Sequence, residues 1–95
     1  MIIESIRHKA LRRFAETGDP RGLPAGVTDR LRNMLAYLVA IEVTSELTVP
    51  PNFGAHLLKG DRAGTWALTV TKNWRMTFRL DDARAIVDMD LEDYH

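Results

Sequence analysis

A chain of 95 residues, 45% apolar and 27% charged, has room for one hydrophobic core; this excludes a multidomain enzyme and separates it from polar chains that stay disordered. It has no cysteine, and its three histidines lack the paired spacing of a metal site, so neither disulfide nor structural zinc is expected and no cofactor is implied. The formal net charge is zero, yet residues 1–79 carry twelve Lys and Arg against seven Asp and Glu, and residues 80–95 carry Arg84 against six acids; a neutral protein that handles an anion must gather its cations in a small patch.

Met1-Ile2-Ile3-Glu4 lacks the basic start and long apolar run of a signal peptide, and no apolar run reaches the length of a membrane span, so a cytoplasmic protein without membrane contact is expected. Ile2, Ile3 and Ile6 predict a short β-strand. A basic helix follows over 7–15, with Leu11, Phe14 and Ala15 on one face, and Gly18 ends it in the left-handed conformation before a turn-rich connector. Over about 24–44, Val27, Leu31, Met34, Leu35, Leu38 and Ile41 recur opposite Asp29, Arg30, Arg32, Asn33 and Glu42, which predicts one long amphipathic helix. Residues 45–49 add a helical turn before Pro50-Pro51-Asn52 breaks regular structure, and a short strand is expected over 56–58.

Two alternating strands come next. Trp66, Leu68 and Val70 alternate with Thr65, Ala67, Thr69 and Thr71; Trp74, Met76, Phe78 and Leu80 alternate with Arg75, Thr77 and Arg79. A two-residue loop at Lys72-Asn73 would set Val70 against Arg75 and mix the faces, so an odd loop is required. The loop Thr71-Lys72-Asn73 pairs Val70 with Trp74, Leu68 with Met76 and Trp66 with Phe78, leaves Thr69 opposite Arg75 and Thr65 opposite Arg79 on the reverse side, and expects Asn73 to be left-handed in a bulged hairpin. Asp81-Asp82 makes the next turn, and Ala85, Val87, Met89 and Leu91 alternate with Ile86, Asp88 and Asp90 in a last strand. The order β-α-α-β-β-β-β is that of an α+β domain spanning 1–95, a small, mostly antiparallel sheet packed against two N-terminal helices.

Four groups could carry chemistry. His56, Lys59 and Arg62 surround the turn Gly60-Asp61, which suits either a solvated loop or a phosphate site with a proton-transfer group. Arg75 and Arg79 share the exposed side of the hairpin, where charge often serves solubility alone. Asp93-Tyr94-His95 sets a carboxylate, a phenol and an imidazole at a chain end, where fraying is common, although the last strand runs almost into it. Arg7-His8-Lys9 with Arg12-Arg13 reads best as a solvated helix face. Phosphate-loop, dinucleotide and serine-hydrolase motifs are absent from the sequence,.

The stretch Leu58-Lys59-Gly60-Asp61-Arg62-Ala63-Gly64-Thr65-Trp66, then Thr69-Val70, Asn73-Trp74-Arg75-Met76-Thr77-Phe78 and the terminal Asp93-Tyr94-His95 closely resembles the HigB toxins of the RelE superfamily. The likeness takes in the opening isoleucines, His8-Lys9 and the long helix, and so covers nearly the whole chain in order. It implies a RelE-like fold and a toxin of a type II toxin-antitoxin system. Such a toxin is a metal-independent, ribosome-dependent mRNA interferase acting in the A site of the 70S ribosome. It also implies a helix-turn-helix, HigA-like antitoxin that silences the toxin and carries it onto operator DNA. Metal-free RNA cleavage uses the neighbouring 2'-hydroxyl, which needs proton transfer and charge stabilisation at phosphorus. By resemblance His56 and His95 transfer protons, Lys59 and Arg75 neutralise the phosphate, Asp93 tunes an imidazole and Tyr94 stacks on a base or bonds a phosphate; Arg62, Lys72 and Arg79 contact RNA. Two positions depart from the family pattern: Thr71 stands where many members carry a basic residue, and Leu57 where a proline often follows the histidine. The other reading is a RelE-like corepressor, catalytically weak, acting only through antitoxin and operator.

Overall fold

In the computed structural model, which describes residues 1–94, helix α1 (Lys9–Thr17) opens at His8, whose imidazole Nδ1 accepts the Leu11 amide at 3.2 Å. This local bond satisfies an otherwise orphaned helix donor and gives one member of the basic stretch a structural role. The helix ends as expected at Gly18 (φ 78°), whose amide donates to the Phe14 carbonyl at 2.8 Å.

Helix α2 (Thr28–Ala40) is shorter than the periodicity predicts. Gly26, at φ 80°, keeps the chain in a turn before it. Beyond Ala40 the run Ile41, Val43, Thr44 is β-branched and poorly suited to helix, and Ile41 is extended. Glu46 takes the local amides instead, its carboxylate accepting from Glu42 and Val43 at 3.3 and 3.2 Å, and a 3-10 turn forms over Thr44–Thr48. The unpaired carbonyls at the end of α2 receive the Met1 ammonium, which donates to Leu38 at 2.9 Å, to Val39 at 3.0 Å and to Ile41, a cation where the helix dipole favours one.

The sheet runs β1 (His56–Leu57), β2 (Thr65–Thr69), β3 (Trp74–Leu80), β4 (Ile86–Asp93) in chain order, all antiparallel. The hairpin register is the expected one, with Trp66 opposite Phe78, Leu68 opposite Met76, Thr69 opposite Arg75 and Thr65 opposite Arg79. Asn73 is not left-handed, however: among the described residues only Arg84 and Asp88 have positive φ besides glycines. The loop closes differently, with the amides of Val70 and Thr71 both donating to the Trp74 carbonyl at 3.0 and 3.2 Å and the Asn73 amide donating to Thr71 Oγ1 at 3.4 Å.

The last strand corrects the expected alternation. Thr77 faces Asp90 but Arg79 faces Val87, a register shift centred on Asp88 at φ 56°. One extra residue in a strand flips the parity beyond it, so Ile86, Met89 and Leu91 are all buried and Val87 turns to the other side. The same bulge limits the predicted N-terminal strand. Residues 2–7 run parallel along β4, but only as two isolated bridges, Ile3 to Ile86 and Ile6 to Met89; between them the Asp88 amide is taken by the Ser5 hydroxyl at 2.8 Å. The α+β class stands, with its first strand reduced to those bridges.

Both helices cover one face of the sheet. Leu11, Leu31, Met34, Leu38, Met76, Phe78, Ile86 and Met89 are completely buried between the layers. At about 25 cal/mol per Å² of apolar surface removed from water, this layer is the main stabilising term. The opposite face is left without a helical cover.

Candidate active site

The uncovered face is set by parity. Thr65, Ala67 and Thr69 of β2, Arg75, Thr77 and Arg79 of β3 and Glu92 of β4 all point away from the core. Because His56 pairs with Ala67, Ala67 with Thr77 and Thr77 with Asp90, His56 stands on that face in its middle row, with Arg75 one step towards the hairpin. At about 4.8 Å between strands, His56 and β3 are roughly 10 Å apart.

Arg75 is tightly constrained. Its Nη1 donates to the carbonyls of Thr71, Trp74 and Lys72 at 2.7, 3.2 and 3.4 Å, and its guanidinium lies 4.5 Å from the centre of the Tyr94 ring. Tyr94 is fixed in turn by its amide, which donates to the Asn73 carbonyl at 2.7 Å and carries the pairing one residue past β4. A planar guanidinium stacked on an aromatic ring keeps its outer N–H groups aimed outward. Tyr94 remains 56% exposed, so its outer surface is open to a ligand.

The His56 loop is braced from below. Arg30 of α2 donates to the carbonyls of Asn52 and Thr69 at 2.6 and 3.1 Å and lies 5.1 Å from the Phe53 ring; buried Phe53 meets Tyr37 edge-on at 5.4 Å. Gly54 then takes φ 56°, and a β-carbon there would sit 3.1 Å from Thr69 Oγ1, which explains glycine at this point. The anchoring holds the loop in place although Leu57, not proline, follows the histidine. His56 Nδ1 lies 2.9 Å from the Gly54 carbonyl. A carbonyl only accepts, so Nδ1 carries the proton, and in the neutral imidazole Nε2 keeps the lone pair.

Arg62, in the 3-10 turn Gly60–Arg62 between β1 and β2, reaches across to β4. Its Nη1 and Nη2 donate to Glu92 Oε1 and Oε2 at 2.9 and 2.5 Å, and Glu92 Oε2 also accepts from Thr77 Oγ1 at 2.5 Å. The Arg62 hydrogen bonds hold the Glu92 carboxyl below the usual carboxylate range, opposed by partial burial and assisted by Thr77. The same pairing raises Arg62. Beside this bridge lies a small cleft of about 190 Å³, in which Arg7, Arg62 and Arg79 face Asp61, Asp88 and Glu92 over the floor threonines Thr65 and Thr77. Glu92 and Thr77 were not singled out as site residues in the sequence; strand pairing brings Glu92 beside Arg75, and its bonds to Arg62 and Thr77 show the rest.

Of the remaining expected residues, Arg79 joins Arg62 at this cleft and the others lie apart. Lys59 is exposed ahead of the Gly60–Arg62 turn, and Lys72 is exposed at the hairpin tip. Arg79 is exposed at the far end of β3. Asp93 pairs with Trp74, so alternation sets it on the opposite side of β4 from Glu92 and Tyr94. His95 lies outside the described residues. Among the described residues no group of three His, Asp or Glu converges on a metal position, and no helix is long and apolar enough to cross a membrane. A larger, apolar groove between residues 1–6 and the ends of the two helices contains none of the site residues.

Two helices on one face of a four-stranded antiparallel sheet, with imidazole and guanidinium groups on the other, fit the RelE-like toxin class whose family model the chain matches. The family model for the RelE-like toxin of type II toxin-antitoxin system HigB matches residues 4–95. The chain belongs to this HigB family of toxins. It is 37% identical over 94 residues, 99% of this chain and all of the relative, to a Proteus vulgaris protein named endoribonuclease HigB. Among solved structures it is similar in fold to YafQ from E. coli, with a TM-score of 0.62 at 13% identity over 96% of this chain and 92% of that one. A mutant of YafQ gives a TM-score of 0.60 at 14% identity with the same coverage.

Proposed function

We propose that this toxin is a ribosome-dependent mRNA interferase that cuts the message in the ribosomal A site by metal-independent attack of a 2'-hydroxyl on the adjacent phosphate. Endoribonuclease activity follows from 37% identity over the whole length of the Proteus vulgaris relative named endoribonuclease HigB; the finer reading rests on the residues of the uncovered sheet face. The observation that carries it is Arg75, tied to three carbonyls and stacked on Tyr94 on the same face as His56.

In this mechanism the 2'-oxygen bonds to phosphorus as a base takes its proton. The 5'-oxygen departs with a proton from an acid, leaving a 2',3'-cyclic phosphate and a 5'-hydroxyl. His56 and His95 are the proton-transfer pair. Arg75 and Lys59 stabilise the charge that builds on the non-bridging oxygens, and a preorganised donor of this kind contributes about 3 kcal/mol. Tyr94 stacks on a base, Asp93 tunes an imidazole from its place beside the chain end, and Arg62, Lys72 and Arg79 hold the flanking backbone. Net neutrality fits an enzyme whose message is already placed by the ribosome, because a free RNase needs broad positive charge to capture its substrate. The partners proposed are a HigA-like helix-turn-helix antitoxin, the 70S ribosome with its mRNA, and operator DNA through the antitoxin complex; the site of action is the cytoplasm, and residues 1–95 act as one domain.

The test is message cleavage by purified toxin on translating ribosomes, beside naked RNA and a His95→Gln variant. Cleavage on ribosomes alone, lost in the variant, is the expected result. Equal cutting of naked RNA would refute ribosome dependence, and no cutting in either setting with antitoxin binding intact would favour the corepressor.

A further inference from the structure

Thr77 stands at the centre of the uncovered face, yet it is 4% exposed and is, with Thr65, one of two buried polar side chains among the described residues. Its hydroxyl donates to Glu92 Oε2, and Glu92 is held in turn by Arg62. The bridge therefore runs from the turn after β1 to β4, over both central strands. A carboxylate gripped by a buried hydroxyl on one side and by a two-pronged guanidinium on the other has little freedom to swing, and a fork-to-fork pair fixes the guanidinium plane as well as its position. Arg62 keeps half its side-chain surface exposed. Of its five N–H donors, three are left over from the two that bond Glu92.

We propose that Glu92, anchored by Thr77, is a positioning residue for Arg62: it holds the guanidinium in one orientation over the sheet, so that its remaining donors meet an RNA phosphate already aligned. This rests on the reading that the uncovered face is the RNA-cleaving face. Without Glu92, Arg62 is a flexible surface cation that must be ordered each time RNA binds, and misplaced donors lose transition-state stabilisation steeply. The arrangement also makes the Arg62 site less a general polyanion trap than an oriented contact, because Glu92 cancels its long-range field.

Two measurements test this. In single-turnover cleavage on translating ribosomes, Arg62→Gln and Glu92→Gln should each lower the rate about tenfold. The double variant should be no slower than Arg62→Gln alone, since Glu92 acts through Arg62. Thr77→Val should share the defect and Thr77→Ser, which keeps the hydroxyl, should not; thermal melts identify any variant that has merely unfolded. A double variant with the product of the two losses, or a Glu92→Gln toxin faster than wild type, would overturn the proposal, the second because Glu92 would then be holding Arg62 back from RNA. Independently of cleavage, 15N relaxation of the Arg62 Nε–H should report an ordered side chain in the wild type and a mobile one in Glu92→Gln and Thr77→Val. An Arg62 equally mobile in all three refutes the positioning role. Wild-type toxin that cut no message would instead refute the functional reading, with the relaxation data still deciding whether Glu92 orders Arg62.

Discussion

Arg75 shows how a surface cation becomes a site residue. Three backbone carbonyls and the Tyr94 ring restrict it, and lysine, a point charge without a plane, cannot reproduce both contacts. Arg75→Lys should therefore share much of the loss of Arg75→Gln, which is expected to slow single-turnover cleavage on ribosomes by about 100-fold or more while ribosome binding persists. A full-rate lysine variant would show that charge alone matters. Asp19 adds a small step in the acid range. Asp19, bonded by the Arg21 guanidinium and amide, is lowered from 3.8 to about 2. Because the folded value lies below the unfolded one, its contribution is complete above the unfolded value and fades as pH falls through about 2. Urea midpoints followed downward from pH 5 should show a small loss in that window that Asp19→Asn lacks; the pair is exposed, so the step is minor.

Among the elements, the braced loop and the bulge matter most. Gly54→Ala puts a β-carbon 3.1 Å from Thr69 Oγ1 at φ 56°, and should cost about 1 to 2 kcal/mol in chemical denaturation. It should also reduce cleavage, since the Gly54 carbonyl orients His56. At Asp88, also at φ 56°, glycine should be tolerated whereas Asp88→Val should cost about 1 to 2 kcal/mol, because a β-branched side chain clashes in the left-handed region. Equal stability of the two variants would mean that the bulge relaxes. The α2 face and the hairpin register were legible in sequence because each follows from a local period, 3.6 or 2, and from one parity argument about the loop. The Asp88 bulge was not, since the alternation Ala85, Val87, Met89, Leu91 looks regular and only pairing with β3 and with residues 2–7 shows where it slips.

For the whole molecule, the helices and the inner sheet face form one cooperative layer, so a cavity at its centre should weaken everything together. Leu38→Ala, at a fully buried site, should lower unfolding free energy by about 2 to 5 kcal/mol, while cleavage per folded molecule stays near wild type because the site faces the other way. A selective loss of cleavage without loss of stability would mean that the two faces are coupled. Residue type and spacing along the chain were enough for the class of fold, the hairpin that turns Arg75 and Arg79 outward, and the resemblance to HigB toxins, because local sterics and burial translate them directly into structure. Packing alone sets Arg30 of α2 beneath the His56 loop and Arg62 against Glu92 over Thr77. Those outcomes join residues some tens of positions apart, and they depend on strand order, a one-residue bulge and packing between layers, none of which leaves a periodic mark in the chain.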